Sequence, residues 1–355
     1  VKKYVEEELR KNNQDIKLIE ALALINHYLG NKNASIKNFK TLFNKKPDML
    51  TGRITFITSL LYASGITQKE YMNECSKYAA IIEKKIGIEK KIYKSNTKKN
   101  SKIKIAFISG DFKKHSITGF FTHLLSNLNK EIFEIILISN LNEKSKDTIS
   151  EKLKDLADDW FDVFNYNDNE LVKFLRSLNI DTLIDLSGYT VKNRHQVLAR
   201  RCAKTQIGWL GYPNSLFLNN LDYLIADRNL INQNEEKEYK EKIIYLPKIW
   251  NVLSVPDNLV TITDEKINNT KFTYGSFNNF KKISDDTIKV WSKILSENNS
   301  QLILKNSFFH GDDLKFNILK KFLDLGVKEE QIIFLKREER EEDHYRHYNK
   351  INLSL

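Results

Sequence analysis

The sequence predicts an α/β protein with two Rossmann-like, parallel-sheet lobes in tandem, preceded by an α-helical segment. Three observations carry this. Short apolar runs rich in β-formers alternate with amphipathic helical stretches from Lys104 to about residue 255, and the alternation resumes at Phe272. The runs are nearly continuous in hydrophobicity, as strands covered on both faces require. The first 83 residues show helical spacing instead.

Within residues 1–83, "LIEALALINHYLGNKNASIKNFKTLFNKKPD" carries apolar residues at helical intervals, a break at Gly30-Asn31 and a closing Pro47. Ala23, Ser35, Phe39 and Pro47 fall near the small, small, aromatic and proline positions of a tetratricopeptide unit, with Ile19 where tryptophan is common. An ordinary helical hairpin fits the same pattern. Residues 84–101 are lysine-dense, contain little to bury and read as a basic linker.

The first lobe, 102–255, reads as strand KIAFISG, helix FFTHLLSNL, strand FEIILIS, helix ISEKLKDLADD, strand FDVF, helix NELVKFLRSL, strand IDTLIDLSG, helix RHQVLARRCA and strands QIGWLGY and LDYLIAD. The second, 256–355, reads as strand FTYGSF, helix DDTIKVWSKILSEN, strand SQLILK, helix DLKFNILKKFLDLG, strand QIIFL, helix REEREEDHYRHYN and strand INLSL. Tandem lobes imply a cleft, with ligands at the carboxyl ends of the strands. The chain opens without methionine and stops in a strand-like run, so it is expected to be a piece of a longer protein.

Composition narrows the function. Lys and Arg number 57 against 46 Asp and Glu, a net charge of +11. The excess follows a general richness in Lys, Asn and Ile, and no aromatic-interleaved basic motif accompanies it, so neither nucleic acid nor membrane is an expected partner. No apolar stretch approaches the ~20 residues of a bilayer span. The N-terminus lacks a signal-peptide core, and a cytoplasmic location is expected. Cys75 and Cys202 stand far apart, without metal-ligand spacing, and no metal site is expected. The G-x-G-x-x-G and Walker A fingerprints are absent after every strand, which argues against dehydrogenases and P-loop NTPases. No HExxH, GxSxG or CxxC occurs.

The residues left to carry chemistry sit at strand exits. The first strand opens into "SGDFKKHSITGFF", which places Asp111 and His115 beyond its end, with Ser116 or Thr118 expected to cap the next helix. A histidine there is a candidate general base or donor. "LSGYT" places Gly188, Tyr189 and Thr190 at a second exit, and "WLGYPNS" places Gly211, Tyr212 and Pro213 at a third; these are expected to line the cleft. In the second lobe, "FTYGSFNNFKKIS" sets Asn278 and Asn279 after a strand, then two lysines, then Ser284 as a helix cap. Free amides at a helix start beside one ammonium make an anion site. Spacing alone does not choose between Lys281 and Lys282.

Three stretches, "IAFISGDFKKHSITGFF", "LIDLSGYTVKNRHQVLARRCAKTQIGWLGYP…LDYLIAD" and "YGSFNNFKKISDDTIKVWSKIL", occur in this order. Together they resemble the catalytic region of the protein O-linked N-acetylglucosamine transferase family (OGT and SPINDLY-like proteins), over about residues 50 to 355. The resemblance implies a GT-B fold and metal-independent, inverting transfer of a sugar from a nucleotide diphosphate sugar, UDP-N-acetylglucosamine above all, to Ser or Thr hydroxyls of an acceptor protein. Nothing beyond that co-substrate is implied as a cofactor. GDP-fucose as donor, or a non-catalytic interaction scaffold, is the alternative. The family histidine after the first strand matches His115, its diphosphate-contacting lysine matches Lys282, and Asn279 occupies a neighbouring donor-contact position. Departures are the "NSLF" that follows Gly-Tyr-Pro and Asp181 where the animal enzyme has histidine. The family's Asp-x-x-Pro-x-Asn-Gly-x-Thr-Thr segment does not occur within the 355 residues. The second lobe is therefore expected to be incomplete, and little activity is expected from these residues alone.

Overall fold

The computed structural model describes residues 1–87, 102–190, 192–254, 271–306, 309, 312–336, 338 and 340–355. Most of the lysine-rich linker (88–101) and the lobe boundary at 255–256 lie outside the described residues. The chain forms two compact units, Val1–Ile66 with Pro256–Leu355, and Thr67–Val255. In chain order the helices are α1 (Lys2–Lys11), α2 (Ile16–Tyr28), α3 (Lys32–Lys45), α4 (Arg53–Leu61), α5 (Gln68–Ile86), α6 (Ser116–Asn127), α7 (Thr148–Leu156), α8 (Asp168–Ser177), α9 (His195–Leu198), α10 (Asp285–Glu297), α11 (Asp312–Leu323) and α12 (Glu341–Arg346). The strands are β1 (Ile103–Ser109), β2 (Phe133–Ser139), β3 (Asp159–Asp162), β4 (Thr182–Asp185), β5 (Thr205–Gly208), β6 (Tyr223–Ala226), β7 (Lys242–Tyr245), β8 (Phe272–Ser276), β9 (Ser300–Lys305), β10 (Ile332–Leu335) and β11 (Leu353–Ser354).

The unit Thr67–Val255 is a parallel seven-stranded sheet in the order β3-β2-β1-β4-β5-β6-β7. Its strands are apolar on both faces because helices cover them. Phe107 on β1 meets Phe121 of α6 edge to face at 4.9 Å, and Phe121 stacks on Phe112 at 5.6 Å. α5 belongs to this unit. It opens with a capping box in which the Thr67 side chain accepts from Glu70 N–H and the Glu70 carboxylate accepts from Thr67 N–H.

The other unit holds a parallel four-stranded sheet among the described residues, in the order β10-β9-β8-β11. Both sheets wind the same way: three strands run outward, and the fourth returns to the far side of the first. Each therefore has a switch point, between β1 and β4 and between β8 and β11, where the exit loops diverge. In the same unit α2 packs against α3. Ala23, Ser35 and Phe39 are wholly buried, and Ser35 Oγ donates to Ala23 O at 2.9 Å, which lets the two backbones approach.

Two expected helices are shorter than the pattern implied. The stretch 194–203 forms only one turn, α9. The carbonyls that would continue it are taken by distant side chains, Leu198 O by Gln206 Nε2 at 2.8 Å and Ala199 O by Asn220 Nδ2 at 2.7 Å. The stretch 337–349 yields α12 and then a 3-10 turn, His347–Lys350.

Gly211 is fixed by space. A Cβ there would lie 1.9 Å from Leu186 O. Gly211→Ala is expected to lower stability by about 3 kcal/mol or to prevent folding. Urea unfolding followed by circular dichroism measures this; a loss under about 0.5 kcal/mol would contradict the close approach.

Candidate active site

In the seven-stranded unit the carboxyl edge is built by three interlocking exit turns. A Cβ on Gly110 would lie 2.7 Å from Lys192 Cβ, and one on Gly188 would lie 2.2 Å from Tyr212 Cβ. Gly211 meets Leu186 as described above. Gly188 also has φ +54°, which glycine adopts without strain. Asn140 Nδ2 donates to Lys192 O at 2.8 Å and joins the β2 exit to the β4 exit. Asp185, buried at the end of β4, accepts from Ser187 N–H at 3.2 Å and Gly188 N–H at 2.8 Å. Burial nevertheless pushes its carboxyl up to about 6.

His115 is exposed and occupies the N-cap of α6 itself, correcting the expectation that Ser116 or Thr118 caps this helix. Its Nδ1 accepts from Ile117 N–H at 3.3 Å, while Thr118 Oγ1 accepts from His115 N–H at 3.3 Å and donates to Lys113 O at 2.8 Å. A nitrogen that accepts carries no proton, so the neutral ring holds its proton on Nε2. His115 thus offers Nε2–H as a donor. Asp111 is half-buried, and its N–H donates to Ser109 Oγ at 3.0 Å.

Tyr189 does not line a cleft. Its side chain is 1% exposed and packs among Tyr78, His195 and Tyr212, with ring centroids at 6.0, 5.4 and 5.3 Å. The tyrosines of α5 close over it, and the Tyr71 and Tyr212 hydroxyls are hydrogen-bonded. Tyr212 and Pro213 are half-buried. Thr190 is half-buried too, but its Oγ1 is enclosed with no partner among the described residues, a polar atom that a ligand or water would satisfy. The unusual "NSLF" is secured by Glu241, which accepts from Ser215 Oγ, from Leu216 N–H at 2.9 Å and from Phe217 N–H at 3.1 Å. Asp181 pairs with Lys204 and accepts from Lys104 N–H at 2.9 Å, a structural role.

In the other unit, Asn278 and Asn279 are exposed beyond β8. Their side-chain oxygens are occupied locally: Asn278 Oδ1 accepts from Asn279 N–H at 2.9 Å, and Asn279 Oδ1 accepts from Lys281 N–H at 3.1 Å. What they present outward is their NH₂ groups. Asn306 Nδ2 donates to Asn278 O at 3.1 Å and ties the β9 exit to this loop. Ser284 caps α10 by accepting from Thr287 N–H at 3.0 Å. The two lysines separate clearly. Lys281 is half-buried, with Nζ 2.8 Å from His27 Nε2. Lys282 is exposed, and no hydrogen bond or ion pair engages it among the described residues.

Sequence reasoning missed Lys305. It ends β9, is 4% exposed, and its ammonium is enclosed with no hydrogen-bond partner among the described residues. Burial lowers its pKa, and nearby Glu338 partly offsets this. The available signal was a lysine closing the apolar run SQLIL at a strand's carboxyl end. Among the described residues no group of three or more His, Cys, Asp or Glu gathers as a metal site, and no helix is long and apolar enough to cross a membrane.

The family model described as Glycosyl transferase family 41 matches residues 57–254. The chain belongs to glycosyl transferase family 41. Among curated relatives, the family 41 chain is 28% identical to the probable UDP-N-acetylglucosamine–peptide N-acetylglucosaminyltransferase SPINDLY of Oryza sativa subsp. japonica, over 71% of this chain and 28% of that protein. It is 22% identical to the corresponding SEC protein of Arabidopsis thaliana, over 66% of this chain and 24% of that protein. It spans about a quarter of the length of these relatives. A solved structure of a Thermobaculum terrenum O-GlcNAc transferase mutant superposes with a TM-score of 0.88 at 20% identity, covering 99% of this chain and 67% of that one. The tandem Rossmann-like, GT-B-like fold expected from the sequence is thus the fold of this family 41 chain.

His195 lies under the site. It is 2% exposed, Nε2–H donates to Gly188 O at 2.8 Å, and burial holds it at about 4, below the ordinary 6.5. The unfolded chain takes up this proton near pH 6.5 and the folded chain only near 4, so this stabilisation is full above 6.5 and lost as pH falls through 4. The stability gap between the native chain and His195→Gln should therefore shrink between pH 6.5 and 4 in denaturant titrations. A constant gap would show that the ring is not held neutral.

Proposed function

We propose that this chain carries the catalytic core of a metal-independent, inverting protein O-glycosyltransferase. The donor is a nucleotide diphosphate sugar, UDP-N-acetylglucosamine first, and the acceptor is a Ser or Thr hydroxyl of a protein. The observation that carries this reading is the Lys282 ammonium, exposed and unengaged among the described residues, in a loop where the side-chain oxygens of Asn278, Asn279 and Ser284 already accept hydrogen bonds. As the glycosidic bond breaks, the leaving diphosphate gains negative charge. A compact cation beside the exposed NH₂ groups of Asn278 and Asn279 stabilises that charge where it develops. Ser284 keeps the start of α10 in register with the loop. In the unit Thr67–Val255, taken by itself, His115 offers Nε2–H as a hydrogen-bond donor at the start of α6. The SPINDLY and SEC relatives, named as probable UDP-N-acetylglucosamine–peptide N-acetylglucosaminyltransferases, support the same substrate classes.

Lys282→Met is expected to lower transfer by about 10²–10³-fold, the scale of removing one preorganised donor, while the circular dichroism spectrum stays native. Radiolabelled UDP-N-acetylglucosamine and GDP-fucose, offered side by side to the full-length protein with EDTA present, give the readout. Turnover of neither donor would end the glycosyltransferase reading, and loss of turnover on EDTA addition would end its metal independence.

A further inference from the structure

The turn between α2 and α3 grips the Lys282 loop on both sides of that residue. On one side, Lys281 Nζ donates to His27 Nε2 at 2.8 Å. His27 Nδ1–H donates onward to Ser59 Oγ at 2.7 Å, and Ser59 Oγ donates to Thr55 O at 2.6 Å. This relay requires a neutral imidazole protonated on Nδ1. Burial first, and the facing Lys281 cation second, hold His27 down at about 4, so it remains an acceptor at neutral pH. On the other side, Lys32 Nζ donates to Ile283 O at 2.7 Å. Lys32 is half-buried and is pushed down to about 8, by burial and then by nearby Lys321, which pairs with Asp285 at 2.6 Å. Between these anchors Phe280 is 4% exposed beneath the turn, where a Cβ on Gly30 would lie 3.5 Å from its ring. Gly30 has φ +74°, which suits glycine. Residues 280, 281 and 283 are thus each held by the hairpin, and 282 alone is left exposed.

We propose that the α2–α3 hairpin is a positioning clamp for the diphosphate loop. His27 and Lys32 lie 254 and 251 residues from their partners and touch no substrate. They hold the 3-10 turn Phe280–Lys282 in the one conformation that ties Lys281 down and presents Lys282. The clamp rests on the assignment of Lys282 to the diphosphate, and it makes the helical segment part of the donor site.

The test compares His27→Ala, His27→Gln and Lys282→Met in the full-length protein, by amide hydrogen exchange of residues 279–284 without ligand and by calorimetric titration with UDP. His27→Ala should raise exchange in that segment alone and weaken UDP binding about tenfold, the scale of one hydrogen bond to a charged group. In turnover assays the loss should fall on KM for the donor, with kcat little changed. His27→Gln should restore both readouts, because its amide oxygen accepts from Lys281 while its NH₂ donates to Ser59. Lys282→Met should weaken UDP binding with exchange unchanged. Unchanged exchange in His27→Ala, or a rise spread equally over α2, α3 and β8, would overturn the clamp. If the unmodified protein binds no UDP, the functional assignment fails, while the exchange comparison still decides whether the hairpin holds the loop.

Discussion

Parallel pairing is the constraint on which the rest depends. In both sheets the first strand lies between its second and its fourth, so successive crossovers leave in opposite directions and the exit loops part at one edge. At the β1–β4 switch the loops must fit against one another with almost no side-chain volume. Gly110, Gly188 and Gly211 each sit where a methyl group would collide with the neighbouring turn. Beside these turns pack Tyr78, Tyr189 and His195, and beyond the β1 exit His115 caps α6.

The same edge in the other sheet solves an electrostatic problem. Two adjacent lysines repel, and the fold separates them by burial. Lys281 is drawn into a half-buried bond with a neutral histidine; Lys282 stays exposed at the surface. For the diphosphate role proposed for Lys282, its ammonium must not be neutralised by a protein carboxylate beforehand. The nearby acids follow this rule, since Asp285 is taken by Lys321 and Asp286 faces Lys289. Lys305 adds a second, enclosed ammonium at the end of β9. Glu338 and Asp343 lie near enough to offset part of the cost of its burial.

Much of this architecture was legible from residue patterns. The runs FEIILIS and SQLILK are the strands β2 and β9 to the residue, and Ser284 caps α10 as its position implied. What escaped depends on partners far away in sequence. α9 stops early because Gln206 and Asn220 reach back to its carbonyls. Tyr189 looks like a cleft residue until α5 is seen to cover it. The roles of Lys281 and Lys282 cannot be separated without His27, 254 residues away. His115 as its own helix cap was missed because histidine is not among the usual capping residues. Lys305 was passed over because a strand-end lysine normally reaches solvent.

The central claim is that one of two neighbouring ammonium groups, and not the other, meets the diphosphate. A crystal structure of the full-length protein with UDP bound tests it most directly. The account predicts the Lys282 ammonium within hydrogen-bonding distance of a phosphate oxygen, with the Lys281–His27 bond intact. A diphosphate held by Lys281 after its release from His27, or one bound away from the β8 exit, would contradict it.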